Sequence, residues 1–312
     1  MLYVTFGFNT DEDNRIIFDK HKKLIIVLII LMVIVNAILS VVLDIKYVKK
    51  GDPVLLILKR SYLFWVITLA LNKIGAIMVP ASNMLKGKDY VYRCNKAQIK
   101  YAVITGDDEC TDDFDSVMDQ YETIEKKFVT KHKPVDGWID FEDGFEKASE
   151  DWTRPTGDAA TTVDDTMIIN FSSGTTGYPK IIAHDFKYPL GHIMTGVFWH
   201  HVVDGGVHFT VSDTGWAKSL WGKYYGQWMG ESVIMVYDFD KFDGADILSK
   251  LEKYKVTTFC VPPTMYRLML QNDVSKYDLS SITHCCTAGE ALNADIFNKW
   301  KEATGLEIHE GF

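Results

Sequence analysis

A run of small polar residues that ends in lysine has the composition of a phosphate-binding loop. It reads Phe171-Ser172-Ser173-Gly174-Thr175-Thr176-Gly177-Tyr178-Pro179-Lys180 and follows the apolar stretch 166–170, which predicts a buried strand. Glycines let backbone N–H groups approach an anion closely, hydroxyls donate hydrogen bonds to its oxygens, and a lysine adds a point charge. We therefore interpret Ser172–Gly177 together with Lys180 as a cradle for a polyphosphate.

The spacing of this loop differs from that of the P-loop. A P-loop has four residues between its two glycines and a lysine directly after the second. Here two residues separate Gly174 from Gly177, and Pro179 directly precedes Lys180. Serine, threonine, glycine and proline also fill ordinary turns, so a polar hairpin or surface turn is the alternative interpretation.

The unbroken string 171–180 resembles the phosphate-binding signature of the adenylate-forming superfamily, which comprises acyl-CoA synthetases, adenylation domains and luciferases. The resemblance implies that this loop holds the β- and γ-phosphates of ATP. It also implies that the loop is mobile, because pyrophosphate must leave after the first step.

A second motif, Thr287-Ala288-Gly289-Glu290-Ala291-Leu292, follows a predicted strand at 282–286. Ligands of α/β sheets bind beyond the carboxyl ends of strands, and a turn of small residues lets a flat base lie on the backbone. The alternative is a plain strand-to-helix loop in which Glu290 begins the next helix. The motif stands about 110 residues after the phosphate loop, as the adenine-binding segment of the superfamily does, so the resemblance implies that Ala288, Gly289, Glu290 and Ala291 bind adenine.

A third motif, Ser212-Asp213-Thr214-Gly215-Trp216, and a lone histidine concern the second substrate. The resemblance implies that Trp216 lies on the wall of an acyl pocket with Gly215 beside it, and Thr287 is assigned to the same pocket. The alternative is a helix-capping Asp213 and a tryptophan in the core. His184 borders the acyl site in some relatives, and its alternative is a histidine at a strand end.

Strand and helix signals alternate along the chain from residue 47, which predicts mainly parallel sheets flanked by helices. Gly75 is expected to end the helix 61–74. The segment 131–165, rich in proline, glycine and acids, is expected to connect two such halves over the surface. The predicted strands are 54–58, 77–80, 101–105, 166–171, 207–211, 232–236, 257–261 and 282–286, and the predicted helices are 61–74, 88–97, 187–200, 217–228, 244–254, 263–272 and 293–303.

The charge and the cysteine pattern exclude some functions. A net charge of −9 argues against a general nucleic-acid binder, so an anionic nucleotide must be held by local groups such as Lys180. The five cysteines form no C-x-x-C pair and are expected to be buried, reduced thiols. We expect no metal site at His200 and His201, nor in the acidic stretch 107–115.

Residues 1–46 form an atypical N-terminal segment, and 47–312 are expected to form a partial AMP-binding synthetase domain. The segment contains the apolar run 24–43, long enough to cross a bilayer as a helix and flanked by lysines on both sides. Three interpretations stay open: a membrane anchor, a buried helix or strand pair, and a reading-frame slip upstream of Tyr47.

The resemblance over residues 47–312 is to the large N-terminal domain of an AMP-forming acyl-CoA synthetase, closest to the acetyl- and medium-chain group. It implies an α/β fold, the co-substrates ATP with Mg²⁺, CoA and a short- or medium-chain carboxylic acid, and two steps through acyl-AMP to acyl-CoA. The threonine and glutamate that follow Glu310-Gly311-Phe312 in the family, and the lid domain with its lysine, lie beyond residue 312. We therefore expect a fragment that binds ATP weakly and cannot assign its catalytic residues.

Two other functions stay open. The first is a membrane-tethered, non-catalytic nucleotide-binding module, which would use 24–43 as its anchor. The second is an amino-acid adenylation domain, because such domains place an aspartate near 213–216, where Asp213 stands. The expected location is the cytoplasm, either free or with 47–312 on the cytoplasmic side of a membrane.

Overall fold

A computed structural model describes residues 47–107, 109–131, 133–148, 152–172 and 178–311. The apolar run 24–43 and the loop residues Ser173–Gly177 lie outside these ranges. Within the described ranges, the helices are too short or too polar to cross a membrane.

The first half of the chain builds a seven-stranded sheet around a central strand, β1. The strands run in the order β5-β4-β3-β1-β2-β6-β7, and all neighbours are parallel except β7, which is antiparallel to β6. Their bounds are β1 Pro53–Ile57, β2 Ile77–Pro80, β3 Tyr101–Thr105, β4 Lys126–Thr130, β5 Ile139–Asp140, β6 Thr166–Ser172 and β7 Lys180–Asp185.

Both faces of this sheet are buried, as the continuous apolar sequence of β1 predicts for a parallel strand. Val54 and Leu56 pack into one core cluster, and Leu55 and Ile57 pack into another on the opposite face. This alternation is the period-two pleat of a strand.

The second half builds a five-stranded sheet of parallel neighbours in the order β12-β11-β10-β8-β9. A third core cluster, with Phe209, Phe259 and Trp300 at its centre, covers one face of it. The strands are β8 Val207–Thr210, β9 Val233–Ile234, β10 Thr258–Cys260, β11 His284–Ala288 and β12 Ile308–Gly311.

Helices flank both sheets, so the predicted mainly parallel α/β architecture is confirmed. Gly75 adopts a left-handed φ of 75° and ends α1, as its position predicts. The helices are α1 Leu63–Ile74, α2 Gly87–Lys96, α3 Cys110–Asp115, α4 Phe141–Glu146, α5 Tyr188–Ile193, α6 Ala217–Gly222, α7 Tyr225–Met229, α8 Gly244–Lys253, α9 Pro263–Met269 and α10 Ala294–Thr304.

Two predicted helices are not single α-helices. The helix expected at 217–228 breaks at Lys223 and Tyr224, whose backbones leave the helical region and separate α6 from α7. The helix expected at 187–200 changes after α5 into a π-helical turn, Met194–Trp199. Gly196 in that turn lies so close to the backbone of Gly226 that a Cβ would be 2.4 Å away, so the π-helical turn packs tightly against α7.

The sequence patterns missed four strands and misplaced one. β12 adds a parallel strand to one edge of the second sheet, β4 lies between β3 and β5 in the first sheet, β5 lies in the expected connecting segment 131–165, and β7 follows the phosphate-loop sequence. β11 ends at Ala288, two residues later than predicted, and α10 begins after its cap Asn293. Glu290 therefore lies in the loop between β11 and α10 and does not begin the next helix, which corrects that detail of the alternative interpretation.

Candidate functional site

The two strands that flank the candidate phosphate loop, β6 and β7, form an antiparallel pair. Ser172 at the end of β6 pairs with Lys180 at the start of β7, and Phe171 pairs with Ile181. Ser172 is half-buried and Lys180 is exposed. The hairpin interpretation and the phosphate interpretation are therefore compatible, because the ladder brings the first hydroxyl and the lysine to the same end of the two strands.

The other two motifs lie at one edge of the second sheet. Because β8, β10 and β11 are parallel and in register, their carboxyl ends meet there. Ser212–Trp216 follows β8, Val261 and Pro262 follow β10, and Gly289 and Glu290 follow β11. This is the edge at which α/β sheets bind ligands.

The turn after β11 leaves an open stretch of backbone. Gly289 has a φ of +99°, which favours glycine, and open space surrounds the position of its absent Cβ. Glu290 and Ala291 are exposed, and one carboxylate oxygen of Glu290 accepts a hydrogen bond of 2.6 Å from the Thr264 hydroxyl. A flat group can therefore approach the backbone at Gly289 from the side that a Cβ would occupy.

Thr287 is the exception among these residues. It is fully buried in β11, and its hydroxyl donates a hydrogen bond of 2.8 Å to the Val261 carbonyl. That contact joins β11 to the segment after β10, so the side chain supports the edge of the sheet from inside.

The backbone of 213–216 is held in a narrow space. The Gly215 N–H donates to the Asp213 carboxylate at 2.7 Å. A Cβ on Gly215 would lie 2.2 Å from the backbone of Ala81 and Ser82, so only glycine fits. Burial raises the pKa of Asp213, although the Gly215 N–H opposes that rise.

Trp216 is not a core residue. Its side chain is 56% exposed. The N-cap residue of α6 is Trp216 itself, and the Asp213 carboxylate accepts its hydrogen bond from the Gly215 N–H instead of capping the helix. The alternative of a helix-capping Asp213 with a core tryptophan is therefore wrong. A large apolar ring is left free at the edge of the sheet.

Two buried lysines, Lys218 within α6 and Lys223 directly after it, were missed by the sequence patterns. Lys218 donates to the Ala288 carbonyl at 3.1 Å, and Lys223 donates to the Ser212 carbonyl at 2.9 Å. Burial lowers the pKa of Lys223 to about 7, and the nearby Arg60 adds to that effect. The signal in the sequence was their position within an otherwise small and aromatic segment, 216–225.

His184 lies on β7 in the first sheet, one residue before the strand end. Its ring packs on Tyr188 with 4.5 Å between centroids, and Tyr188 in turn contacts His192 and Tyr225. Burial lowers the pKa of His192 to about 4. The grouping of His184 with Trp216 in one pocket stays a prediction.

Two shallow cavities lie away from these segments. One, of about 570 Å³, is lined by acidic residues of β5 and α4, and the other, of about 360 Å³, lies among Lys59, Lys131 and Asp238. Both are open to solvent and hold no part of the three motifs. We therefore place the candidate site at the carboxyl ends of the strands, where the three motifs lie.

No cluster of three or more metal-ligating side chains occurs within the described ranges. The five cysteines are buried and reduced, as expected. The chain itself therefore suggests no resident metal site in the part that the structure describes.

The mainly parallel sheets, with polar motifs at the carboxyl ends of their strands, define an α/β protein with the arrangement typical of nucleotide-binding folds. A family model described as AMP-binding enzyme matches residues 38–312, and the chain belongs to that family. The match begins inside the apolar run 24–43.

The curated relatives are acyl-CoA synthetases. The chain is 34% identical over 265 residues to human acyl-coenzyme A synthetase ACSM3, mitochondrial, and 33% identical over 263 residues to mouse ACSM5, mitochondrial. The first alignment covers 85% of this chain and 44% of the relative, and the second covers 84% and 44%. The chain thus spans somewhat less than half the length of these relatives.

Solved structures share the fold. The anthranilate CoA ligase AuaEII, in complex with anthranoyl-AMP, aligns with a TM-score of 0.80 and 27% identity over 90% of this chain and 54% of that one. An acyl-CoA synthetase of Brucella canis aligns with a TM-score of 0.77 over 89% of this chain and 50% of that one; at 19% identity it supports the fold alone.

Proposed function

We propose that this chain is part of an AMP-forming acid–CoA ligase that activates a short- or medium-chain carboxylic acid. The observation that carries the proposal is the hairpin in which Ser172 faces Lys180 at the ends of the phosphate-loop sequence. Membership of the AMP-binding enzyme family supports the same reaction, and so does the similarity to acyl-coenzyme A synthetases.

In the first step a carboxylate oxygen bonds to the α-phosphorus of ATP, the bond from that phosphorus to the bridging oxygen breaks, and pyrophosphate leaves. In the second step the CoA sulfur bonds to the acyl carbon and its proton passes to solvent, while the bond from that carbon to the bridging phosphate oxygen breaks and AMP leaves with this oxygen. Such chemistry depends on positioning and charge neutralisation. Mg²⁺ enters as part of the ATP substrate complex.

The residues of this chain divide these tasks. Ser172–Gly177 and Lys180 hold the β- and γ-phosphates, and each charge-assisted hydrogen bond contributes about 1.5–3 kcal/mol. Ala288–Ala291 receive adenine on the open backbone after β11. Trp216, with Gly215, His184 and Thr287, forms or supports the acyl pocket.

The domain division and the location are proposals as well. Residues 47–312 form a partial synthetase domain placed in the cytoplasm, and 1–46 form the segment before it. Membrane fractionation, with sequencing of the coding DNA on both sides of the reading frame, tests whether 24–43 is an anchor.

Stable mimics of the acyl-adenylate test the function without requiring turnover. We expect the chain 1–312 to bind octanoyl-sulfamoyl adenosine at least tenfold more tightly than AMP, as measured by calorimetry. Tighter binding of aminoacyl mimics would indicate an amino-acid adenylation domain instead. Equal binding of AMP and every mimic would indicate a nucleotide-binding module and would overturn the ligase proposal.

The variant Lys180→Ala tests the phosphate assignment. We expect it to weaken ATP binding about tenfold and to leave AMP binding unchanged, because AMP lacks the β- and γ-phosphates. An equal loss of affinity for ATP and AMP would show that Lys180 does not contact the β- and γ-phosphates specifically.

A further inference from the structure

A tyrosine on α2, Tyr92, contacts the chain on both sides of the β6–β7 turn. Its hydroxyl donates a hydrogen bond of 2.8 Å to the carbonyl of Pro179. Its ring stacks on Tyr178 with 4.6 Å between centroids and an interplanar angle of 18°, and meets Phe171 edge-on at 6.2 Å. One side chain thus bridges the residue before Ser172 and the two residues before Lys180.

The helix that carries Tyr92 is a firm support. Tyr90 and Cys94 on α2 are fully buried in a core cluster of the first sheet. Arg93 lies over the ring of Phe171 at 5.3 Å, which adds a second contact between α2 and β6. Movement of Tyr92 relative to the sheet is therefore restricted.

The hairpin needs such a support on its β7 side. The side chain of Tyr178 is 76% exposed. β7 is an edge strand, and among the described strands it pairs with β6 alone. Pro179 has no N–H to donate, so its carbonyl is the backbone group through which a neighbour can hold it. Tyr92 bonds to that group directly before Lys180.

We propose that Tyr92 is a positioning residue that holds Pro179 and thereby places Lys180 for contact with the ATP phosphates. This inference rests on the proposed function, since it assigns Lys180 its phosphate role. Tyr92 itself does not touch the nucleotide.

Two substitutions separate the contacts of Tyr92. Tyr92→Phe removes the hydrogen bond and keeps the stacked ring, whereas Tyr92→Leu removes both. We expect the first to weaken ATP binding by the chain 1–312 about threefold to tenfold and the second more, which matches the loss of one and then two weak contacts. AMP affinity should stay unchanged in both variants.

Hydrogen exchange gives a readout that does not depend on ATP. Peptides covering residues 178–185 should exchange faster in both variants, while peptides of β1 and β3 should exchange as in the wild type. An unchanged melting temperature in both variants would show that the faster exchange is local and does not come from lower global stability.

Tyr121→Phe is a matched control. The Tyr121 hydroxyl donates to the Phe114 carbonyl at 3.0 Å, and its ring stacks on Phe114 at 4.6 Å. This variant removes the same kind of hydrogen bond and keeps the same kind of ring contact, but elsewhere in the chain. ATP affinity and hydrogen exchange at 178–185 should therefore be unaffected.

The inference would be overturned if both Tyr92 variants had the ATP affinity and the hydrogen exchange of the wild type. It would also be overturned if Tyr121→Phe lost as much ATP affinity as the Tyr92 variants, and in either case the proposed function would stand. Absence of ATP binding in the wild type would overturn both.

Discussion

The side-chain ammonium of Lys218 donates a hydrogen bond of 3.1 Å to the carbonyl of Ala288. Lys218 follows the Trp216 motif by two residues, and Ala288 opens the proposed adenine turn. The two motifs stand about 70 residues apart in the sequence, so this contact couples the proposed acyl and adenine parts of the site.

Loss of this contact should weaken nucleotide binding. Lys218→Met keeps the length of the side chain but removes the donor, and a hydrogen bond from a charged group contributes about 1.5–3 kcal/mol. We expect AMP affinity to fall about threefold to tenfold in calorimetric titration. Lys299→Met, at an exposed lysine paired with Asp295, serves as the control and should change nothing. Unchanged AMP affinity in Lys218→Met would show that the contact does not position the adenine turn.

Lys223 should make the stability of the protein depend on pH above neutrality. Its pKa is about 7 in the folded state because of burial, against 10.5 when unfolded. The unfolded state therefore binds more protons between these values, and the free energy of unfolding rises with pH through this range. From pH 7 to pH 9 the rise attributable to Lys223 should be about 2 kcal/mol.

Urea denaturation of the wild type and of Lys223→Met at several pH values measures this effect. The difference in unfolding free energy between the two proteins isolates Lys223 from other titrating groups. A difference that stays constant from pH 7 to pH 9 would show that the folded-state pKa is not lowered.

Gly215→Ala should destabilise the fold and disturb the acyl side of the site. Its new Cβ would lie 2.2 Å from the backbone of Ala81 and Ser82, and forced overpacking costs about 1–3 kcal/mol. Gly191→Ala is the control, because open space surrounds that position and α5 accepts alanine. Thermal denaturation compares the two, and similar melting temperatures would contradict the prediction.

Trp216→Ala should affect ligand binding and leave stability nearly unchanged. The ring is largely exposed, so its removal should change the unfolding free energy by less than about 0.5 kcal/mol. Binding of octanoyl-sulfamoyl adenosine should weaken about tenfold relative to AMP. Tyr254→Ala removes another exposed aromatic ring and should alter neither quantity. Equal losses of affinity for the mimic and for AMP would show that Trp216 does not line the acyl pocket.

Local sequence signals were sufficient for most of the framework. The apolar run at 54–58 and the Gly75 stop predicted β1 and the end of α1 closely, because a buried parallel strand and a left-handed cap have distinctive residues. The composition of 171–180 likewise predicts phosphate binding from local sequence alone, since glycines, hydroxyls and a lysine together are typical of an anion-binding loop.

The tertiary structure decided how these parts work together. The break at Lys223 follows Gly222, and it coincides with a hydrogen bond from the Lys223 side chain to the Ser212 carbonyl, eleven residues earlier. Likewise, Tyr92 looked like any helical tyrosine until the fold placed Pro179 within 2.8 Å of its hydroxyl. Residue composition predicts which ligand each segment suits, whereas the parallel register and long-range packing determined which segments meet, because such contacts depend on residues far apart in the chain.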